Sequence, residues 1–268
     1  MERNDRGVKS LNNIINSGKF DILEGRNAVI EALRSERQIS MVMVASRNTG
    51  GSMRDLMELA HDRGIPIKVV DKSELESLAK TRNSQGVMAF VEPFKYIEVE
   101  EILARAKQKN EEPLVVILDG VEDPQNLGAI LRTCDAAGAH GVIIPTRRAA
   151  GLSTAVAKAS AGAVEFVPVA RVTNLVREIL KLKEGGLWIA AADMEGERSL
   201  YDSDLTGPLA VVMGGEGKGL SRLTKEKCDF LVKIPMKGRI SSLNASVATG
   251  VMLYEVLRQR RFKLAGKV

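Results

Sequence analysis

Hydrophobic positions recur along this chain in two rhythms, and the scale of the pattern changes near residue 113. In the first third the segments are short. Residues 27–33 carry apolar side chains at helical spacing after Gly25, residues 39–45 (ISMVMVA) read as a strand, and residues 53–61 return to the helical period. Residues 65–70 read as extended, 72–80 as helical and 86–91 as a strand. Short helices alternating with short strands predict a small layered α/β domain over residues 21–93. Residues 1–20 carry no clean period and read as a mobile N-terminal arm. Pro93 interrupts the pattern, and a charged helical stretch over 99–110 runs into Glu111-Glu112-Pro113, so residues 94–112 read as a linker.

From Leu114 onward the apolar runs are those of buried strands. LVVILD (114–119), GVIIP (141–145), 165–169, LWIAAA (187–192), LAVVMG (209–214) and 230–234 read as strands. Helices are expected between them at 126–138, 153–160, 172–183 and 220–227, with a long final helix over about 243–261. Continuous apolar strands separated by helices imply a mostly parallel sheet covered on both faces, a doubly covered α/β domain over 113–268.

Composition narrows the class. The longest apolar runs, 114–118 and 209–213, fall far short of the roughly 18 residues of a membrane span. The charged N-terminus lacks a secretory signal, which places the protein in the cytoplasm with reduced thiols. Cys134 and Cys228 have no CxxC partner, and His61 and His140 are far apart, so no metal site is expected. The net charge is +5, and residues 1–112 are balanced at 18 basic and 18 acidic. The whole excess lies in the second part, in keeping with a polyanionic partner. Residues 258–263 are its densest basic patch, and a solvated helix end explains them equally well.

Three segments follow strands and precede helices, where open α/β sheets gather ligands. In the first, LDGVEDPQNLGAILRTCDAAGA, Asn126 is placed to cap a helix and Arg132 lies six residues on, about 9 Å along the axis and rotated away. An ion pair with Asp135 or a distant acid is the bland reading of Arg132. In the second, LAVVMGGEGKGLS, four glycines surround Glu216 and Lys218. The spacing is neither GxxxxGK[ST] nor GxGxxG, so a plain phosphate cradle is excluded. The glycine density exceeds what a tight turn needs and favours a ligand site. In the third, IPMKGRISSLNASVATGVMLYEVL, Ser241, Ser242 or Asn244 opens the last helix. The small residues after it predict a close helix contact, internal or between subunits.

Taken as a set, DPQNLGAILRT, GGEGKGL and IPMKGRISSLNASVATG resemble the SpoU (TrmH-like) family of RNA ribose methyltransferases, of the SPOUT class. The resemblance covers about residues 113–261. EGRNAVIEAL and NSQGVMAFVEP are similar to the family's small substrate-binding domain, which is like RNA-binding ribosomal-protein folds. The two-domain form resembles the subgroup that methylates a guanosine ribose in large-subunit (23S) ribosomal RNA. Ala245 departs from the Val of many relatives.

The resemblance implies a trefoil-knotted parallel-sheet domain, a homodimer and S-adenosylmethionine as methyl donor. It implies that Gly214, Gly215, Ile234 and Leu243 contact the cofactor, that Arg132 lies beside the target ribose, and that Asn126, Glu216, Ser242 and Asn244 shape the catalytic pocket. Alternatives are a transfer RNA ribose or an adenosine of ribosomal RNA as target, and a non-catalytic RNA-binding or assembly protein. A dinucleotide-dependent dehydrogenase is disfavoured by the missing GxGxxG.

Overall fold

The computed structural model describes residues 20–35, 37–46, 51–79, 84–217, 219–239 and 242–265, the last four by backbone alone. The expected arm therefore lies outside the described residues except for Phe20, as do Lys218 and Ser241. The chain divides into two compact units. One comprises Met1–Lys95 and Leu152–Phe166; the other comprises Tyr96–Gly151 and Val167–Val268.

The first unit holds a four-stranded sheet in the order β1-β4-β2-β3, from β1 (Asp21–Glu24), β2 (Ile39–Ala45), β3 (Ile67–Val70) and β4 (Val87–Val91). β4 is antiparallel to both neighbours and buried along its whole length, while β2 and β3 run parallel. The short β1 has no counterpart in the hydrophobic pattern. Helices α1 (Arg26–Arg34), α2 (Gly51–Asp62) and α3 (Lys72–Leu78) complete the alternation. α1 buries Ala28, Val29, Ile30, Ala32 and Leu33. The Arg63 guanidinium donates to the carbonyls of Ala32 and Leu33 at 3.0 and 2.9 Å, satisfying acceptors that the end of α1 leaves open.

Leu152–Phe166, expected within the catalytic domain, packs with this first unit. It forms a short helix, α6 (Thr154–Ala159), and a 3-10 turn, Ala163–Glu165. The expected strand over 165–169 is thereby corrected. The turn ends at Glu165, Pro168 contributes no backbone donor, and the strand begins only at Val169. Glu165 is committed instead to Arg37. The two side chains are 8% and 5% exposed for Arg37 and Glu165 and meet at 2.6 Å. Arg37 also donates to the Glu92 carbonyl through Nε and Nη2 and stacks over the Phe94 ring at 3.6 Å.

The second unit holds seven parallel strands in the order β7-β6-β5-β10-β8-β11-β9. They are β5 (Leu114–Asp119), β6 (Gly141–Pro145), β7 (Val169–Val172), β8 (Trp188–Ala192), β9 (Arg198–Ser199), β10 (Leu209–Gly214) and β11 (Phe230–Lys233). Its helices are α4 (Val99–Gln108), α5 (Pro124–Ala137), α7 (Leu175–Glu184), α8 (Arg222–Lys227) and α9 (Ala245–Ala265). α4 falls in the expected linker, yet Val99 and Ile102 enter the same apolar core as Val115, Ile117, Ile143, Ile179 and Val212. All six residues of β5 are buried, as the unbroken apolar run requires of a strand covered on both faces.

Several helix starts move by a few residues, because caps rather than periodicity set them. Asn174 accepts from Arg177 N–H and starts α7 three residues later than the pattern suggests. Ser221 does the same for α8. Asn126 is not a cap: Asp123 caps α5 by accepting from Gln125 N–H, Pro124 takes the first turn, and Gly138 ends the helix at φ 74°. The small residues of α9 have an internal partner. α9 packs on α5, where a Cβ on Gly250 would stand 3.8 Å from the Thr133 methyl group.

Candidate active site

The strand order places the site. β5 leads outward to β6 and β7 on one side, while its other neighbour is β10, reached only after β8. Loops leaving the carboxyl ends of β5 and β10 therefore emerge side by side and part in opposite directions, the crevice where such sheets bind ligands. Asp119 O accepts from Gly215 N–H at 2.8 Å across this gap. The Asp119 carboxylate reaches further, accepting from Ser221 N–H at 2.9 Å and from the Thr224 hydroxyl at 2.7 Å. One buried acid thus holds the start of α8 against the end of β5.

The glycine loop has a structural logic of its own. A Cβ on Gly215 would lie 1.9 Å from the Gly120 carbonyl oxygen, and one on Gly214 would lie 2.4 Å from the Gly219 carbonyl carbon. Gly217 and Gly219 have φ of 78° and 60°, where glycine carries no penalty. Close packing and backbone handedness account for all four positions. Glycine density by itself therefore says less about a ligand than the spacing suggested.

The polar residues say more. Asn126, buried in the first turns of α5, donates from Nδ2 to Glu216 Oε1 at 3.1 Å. Asn244 donates to Asn126 Oδ1 at 2.9 Å and also to Glu216 Oε1. Residues 118 positions apart are thus joined through one carboxylate. Asn244 also caps α9, its Oδ1 accepting from Ser246 N–H at 2.9 Å and from the Ser246 hydroxyl at 2.6 Å. The amide orientations follow from this network, since each nitrogen faces an oxygen.

The structure does not draw the remaining candidates into that cluster. Arg132 is exposed on α5 and makes no hydrogen bond or ion pair among the described residues, so the alternative pairing with Asp135 is not formed. Ser242 is exposed, with no hydrogen bond among the described residues. Gly214 and Gly215 adjoin Glu216, and Leu243 adjoins Asn244. Ile234 follows β11, two strand spacings or about 10 Å from β10. Ile234 is half-buried and Leu243 exposed, so both leave apolar surface open at the ends of the strands. Bare loop backbone with apolar side chains at its flanks suits a nucleoside. Ala245 is buried directly behind Asn244.

Other candidates are spent on structure. Arg258 pairs with Glu255, and Arg260 donates to the carbonyls of Glu112, Pro113 and Gly207, so the basic patch at 258–263 is partly structural. Burial pushes the Cys228 thiol up to about 12 and raises Cys134 further, which leaves neither a thiolate at neutral pH. Among the described residues no cluster of His, Cys, Asp and Glu could hold a metal, and no helix is long and apolar enough to cross a membrane. Asp119 was not among the residues expected at the site, nor were Arg147 and Arg148, which line a cleft bordered by Asp119. The signal was available in paired arginines just after the strand GVIIP.

Comparison with known proteins agrees with this geometry. The SpoU rRNA Methylase family matches residues 113–254, and the family of RNA 2′-O ribose methyltransferase substrate-binding domains matches residues 22–97. YacO of Bacillus subtilis (strain 168), of the TrmH family of tRNA/rRNA methyltransferases, is 48% identical over 244 residues, covering 91% of this chain and 98% of that protein. The AdoMet-bound rRNA methyltransferase from Sinorhizobium meliloti superposes with a TM-score of 0.74 at 27% identity, over 91% of this chain and 88% of that one. The A. aeolicus TrmH/SpoU tRNA modifying enzyme, at 32% identity and a TM-score of 0.52, covers 61% of this chain and 86% of its own.

Proposed function

This chain belongs to the SpoU rRNA methylase family of S-adenosylmethionine-dependent RNA 2′-O-methyltransferases, and we propose that its target is a guanosine ribose in large-subunit (23S) ribosomal RNA. The observation that carries the site assignment is the junction of Asn126, Glu216 and Asn244, three polar residues brought together from three separate segments of the chain. Support for a ribosomal target comes from coverage. The similar structure described as an rRNA methyltransferase spans more than nine-tenths of this chain, whereas the one described as a tRNA modifying enzyme spans about six-tenths.

In this reading S-adenosylmethionine, when bound, supplies an electrophilic methyl group. Gly214, Gly215, Ile234 and Leu243 hold it, in a pocket closed by a trefoil knot of the C-terminal segment. Glu216 locks both amides through Oε1 and keeps Oε2 as an acceptor for the ribose hydroxyl. Ser242 lies two residues before Asn244 and lines the same rim. Arg132 stays protonated, as a guanidinium does throughout the physiological range. It therefore stabilises negative charge developing on the attacking 2′-oxygen, or grips the adjacent phosphate, and the proton leaves to phosphate or water. Holding the reactants at near-attack distance supplies much of the acceleration.

The protein acts as a homodimer. Val247 and Tyr254, seven residues apart on α9, are 52% and 53% exposed and share one face of the helix. The first unit is the substrate-selecting part. The direct test is radiolabelled methyl transfer to total RNA, followed by mapping of 2′-O-methyl sites in RNA from cells with and without the gene. One lost guanosine in 23S RNA is the expected result. A lost site in transfer RNA, or at an adenosine, overturns the target.

A further inference from the structure

A second cleft opens at the carboxyl ends of β5, β6 and β7, and the roles assigned above do not use it. Its volume is about 570 Å³, within the ~300–1,000 Å³ of small-molecule sites. Asp119, Arg147, Arg148, Asn174 and Leu223 are among its walls. It borders the crevice already described, since Asp119 and Ser221 join the two. The loop carrying the arginines is pinned beside the start of α5, with Ala150 N–H donating to the Val121 carbonyl at 2.8 Å.

The chemistry of the walls is mixed in a specific way. Arg147 and Arg148 are exposed and make no hydrogen bond or ion pair among the described residues. Arg148 is held at φ 56°, a left-handed backbone that a residue with a long side chain rarely takes up. A third guanidinium stands behind them: Arg171 donates to the Thr146 carbonyl at 3.1 Å and lies over the Tyr96 ring, with no acidic partner among the described residues. Against this positive rim stands the Asp119 carboxylate, whose Oδ2 is fully used while Oδ1 makes no hydrogen bond among the described residues. Leu223, 53% exposed, adds an apolar face. A bare anion is repelled by Asp119. A ligand with an anion at one end, a hydroxyl or amino donor at the other and a flat apolar face between them satisfies every wall. A nucleotide is a ligand of this kind.

We propose that this cleft holds a nucleotide of the RNA flanking the one that is methylated, with its phosphate on the Arg147 and Arg148 guanidinium groups and a ribose or base donor on Asp119. The inference rests on the RNA methyltransferase reading and extends it to a second point of grip. Guanidinium forks suit phosphate geometry, and each neutralised phosphate adds about one unit to the salt dependence of binding.

The experiment compares the full-length protein with R147A/R148N, in which Asn tolerates the left-handed position, and with R147K/R148K. Filter binding of 23S ribosomal RNA is measured against salt concentration, and S-adenosylmethionine affinity by calorimetry. The expected result for R147A/R148N is about tenfold weaker RNA binding and a log–log salt slope shallower by about 1 to 2. Methyl-donor affinity is expected to be unchanged. The lysine pair is expected to restore the slope but only part of the affinity. RNA binding and salt slope equal to wild type in R147A/R148N overturn the proposal, as does a loss of methyl-donor affinity with RNA binding intact. If the lysine pair binds like R147A/R148N and keeps the shallow slope, the grip is not electrostatic and the proposal also falls. Wild-type protein that binds RNA with this slope yet transfers no methyl group refutes the enzymatic reading separately.

Discussion

Arg37 in the first unit and Arg132 in the second are the same residue put to opposite uses. Arg37 is buried, paired to Glu165 and bonded twice to the Glu92 carbonyl, with an aromatic ring against its face. Arg132 is exposed and engages nothing among the described residues. The contrast extends to their surroundings. In the first unit this charge is consumed in joining Leu152–Phe166 to the sheet, whereas in the second Arg132 on α5, and Arg147 and Arg148 after β6, are left open among the described residues. A charge saturated by its own protein serves stability; one held unpaired near a crevice is available to a substrate.

The largest effect on stability is expected at Arg37. Arg37→Ala leaves the Glu165 carboxylate buried without its partner, and the expected loss is about 3–5 kcal/mol of stability in the first unit. Burial already pushes the Glu165 carboxyl above its usual range, with Arg37 pulling it back. Thermal or urea unfolding measures the loss, and a melting temperature unchanged from wild type would contradict the assigned role. The same junction bears on truncation. Removing residues 1–93 strips the partner from Val156, Ala157 and Val164, which are buried in the first unit, so substitutions are the cleaner probe of substrate selection.

Arg132→Ala is the converse experiment. Stability is expected to hold within about 0.5 kcal/mol, as for an exposed unpaired residue. Methyl transfer is expected to fall about 100- to 1,000-fold, the usual effect of removing one transition-state donor, with S-adenosylmethionine affinity retained. Arg132→Lys is expected to remain poor because an ammonium lacks the planar fork. Turnover equal to wild type would remove Arg132 from catalysis and leave its exposed charge without a functional role.

His140 sharpens the contrast within the second unit, because it is a titratable group consumed by structure there. Leu114 N–H donates to Nδ1 at 3.0 Å, which leaves Nε2 to donate to Glu111 at 3.1 Å in the neutral ring. Burial holds its pKa below the ordinary value, against the pull of Glu111. The unfolded chain therefore binds the proton more readily, and stability is lost as the pH falls through the ordinary histidine value of about 6.5. His140→Ala is expected to cost about 1–3 kcal/mol, since it orphans a buried N–H at the start of β5, and to flatten that acid limb. An acid limb unchanged in the variant would place its origin elsewhere.

A modest effect on stability is expected at Asn244. Asn244→Ala removes the cap of α9, at about 1 kcal/mol, and releases Glu216 and Asn126 from each other. Methyl transfer is expected to fall much more than stability. A parallel decline in both would make the cluster a structural feature only.

The sequence by itself determined the element types and the class of the fold. Continuous apolar runs such as LVVILD dictate buried parallel strands, and the three loop motifs together carried the family. Through the resemblance it also named Asn126, Glu216, Ser242 and Asn244 for one pocket, of which hydrogen bonds join Asn126, Glu216 and Asn244. Tertiary structure alone decided which charges are free. Periodicity could not distinguish Arg37 from Arg132, because the pairing of Arg37 depends on Glu165, 128 residues away, whereas Arg132 engages no acid among the described residues although Asp135 lies one turn on. It could not give the strand at 169–172 its true start, because Glu165 is spent on that pair. Nor could spacing show that the glycines of 214–219 are required by Gly120 and by their own turn. Contacts of this range are set by how the chain packs, and local pattern carries no record of them.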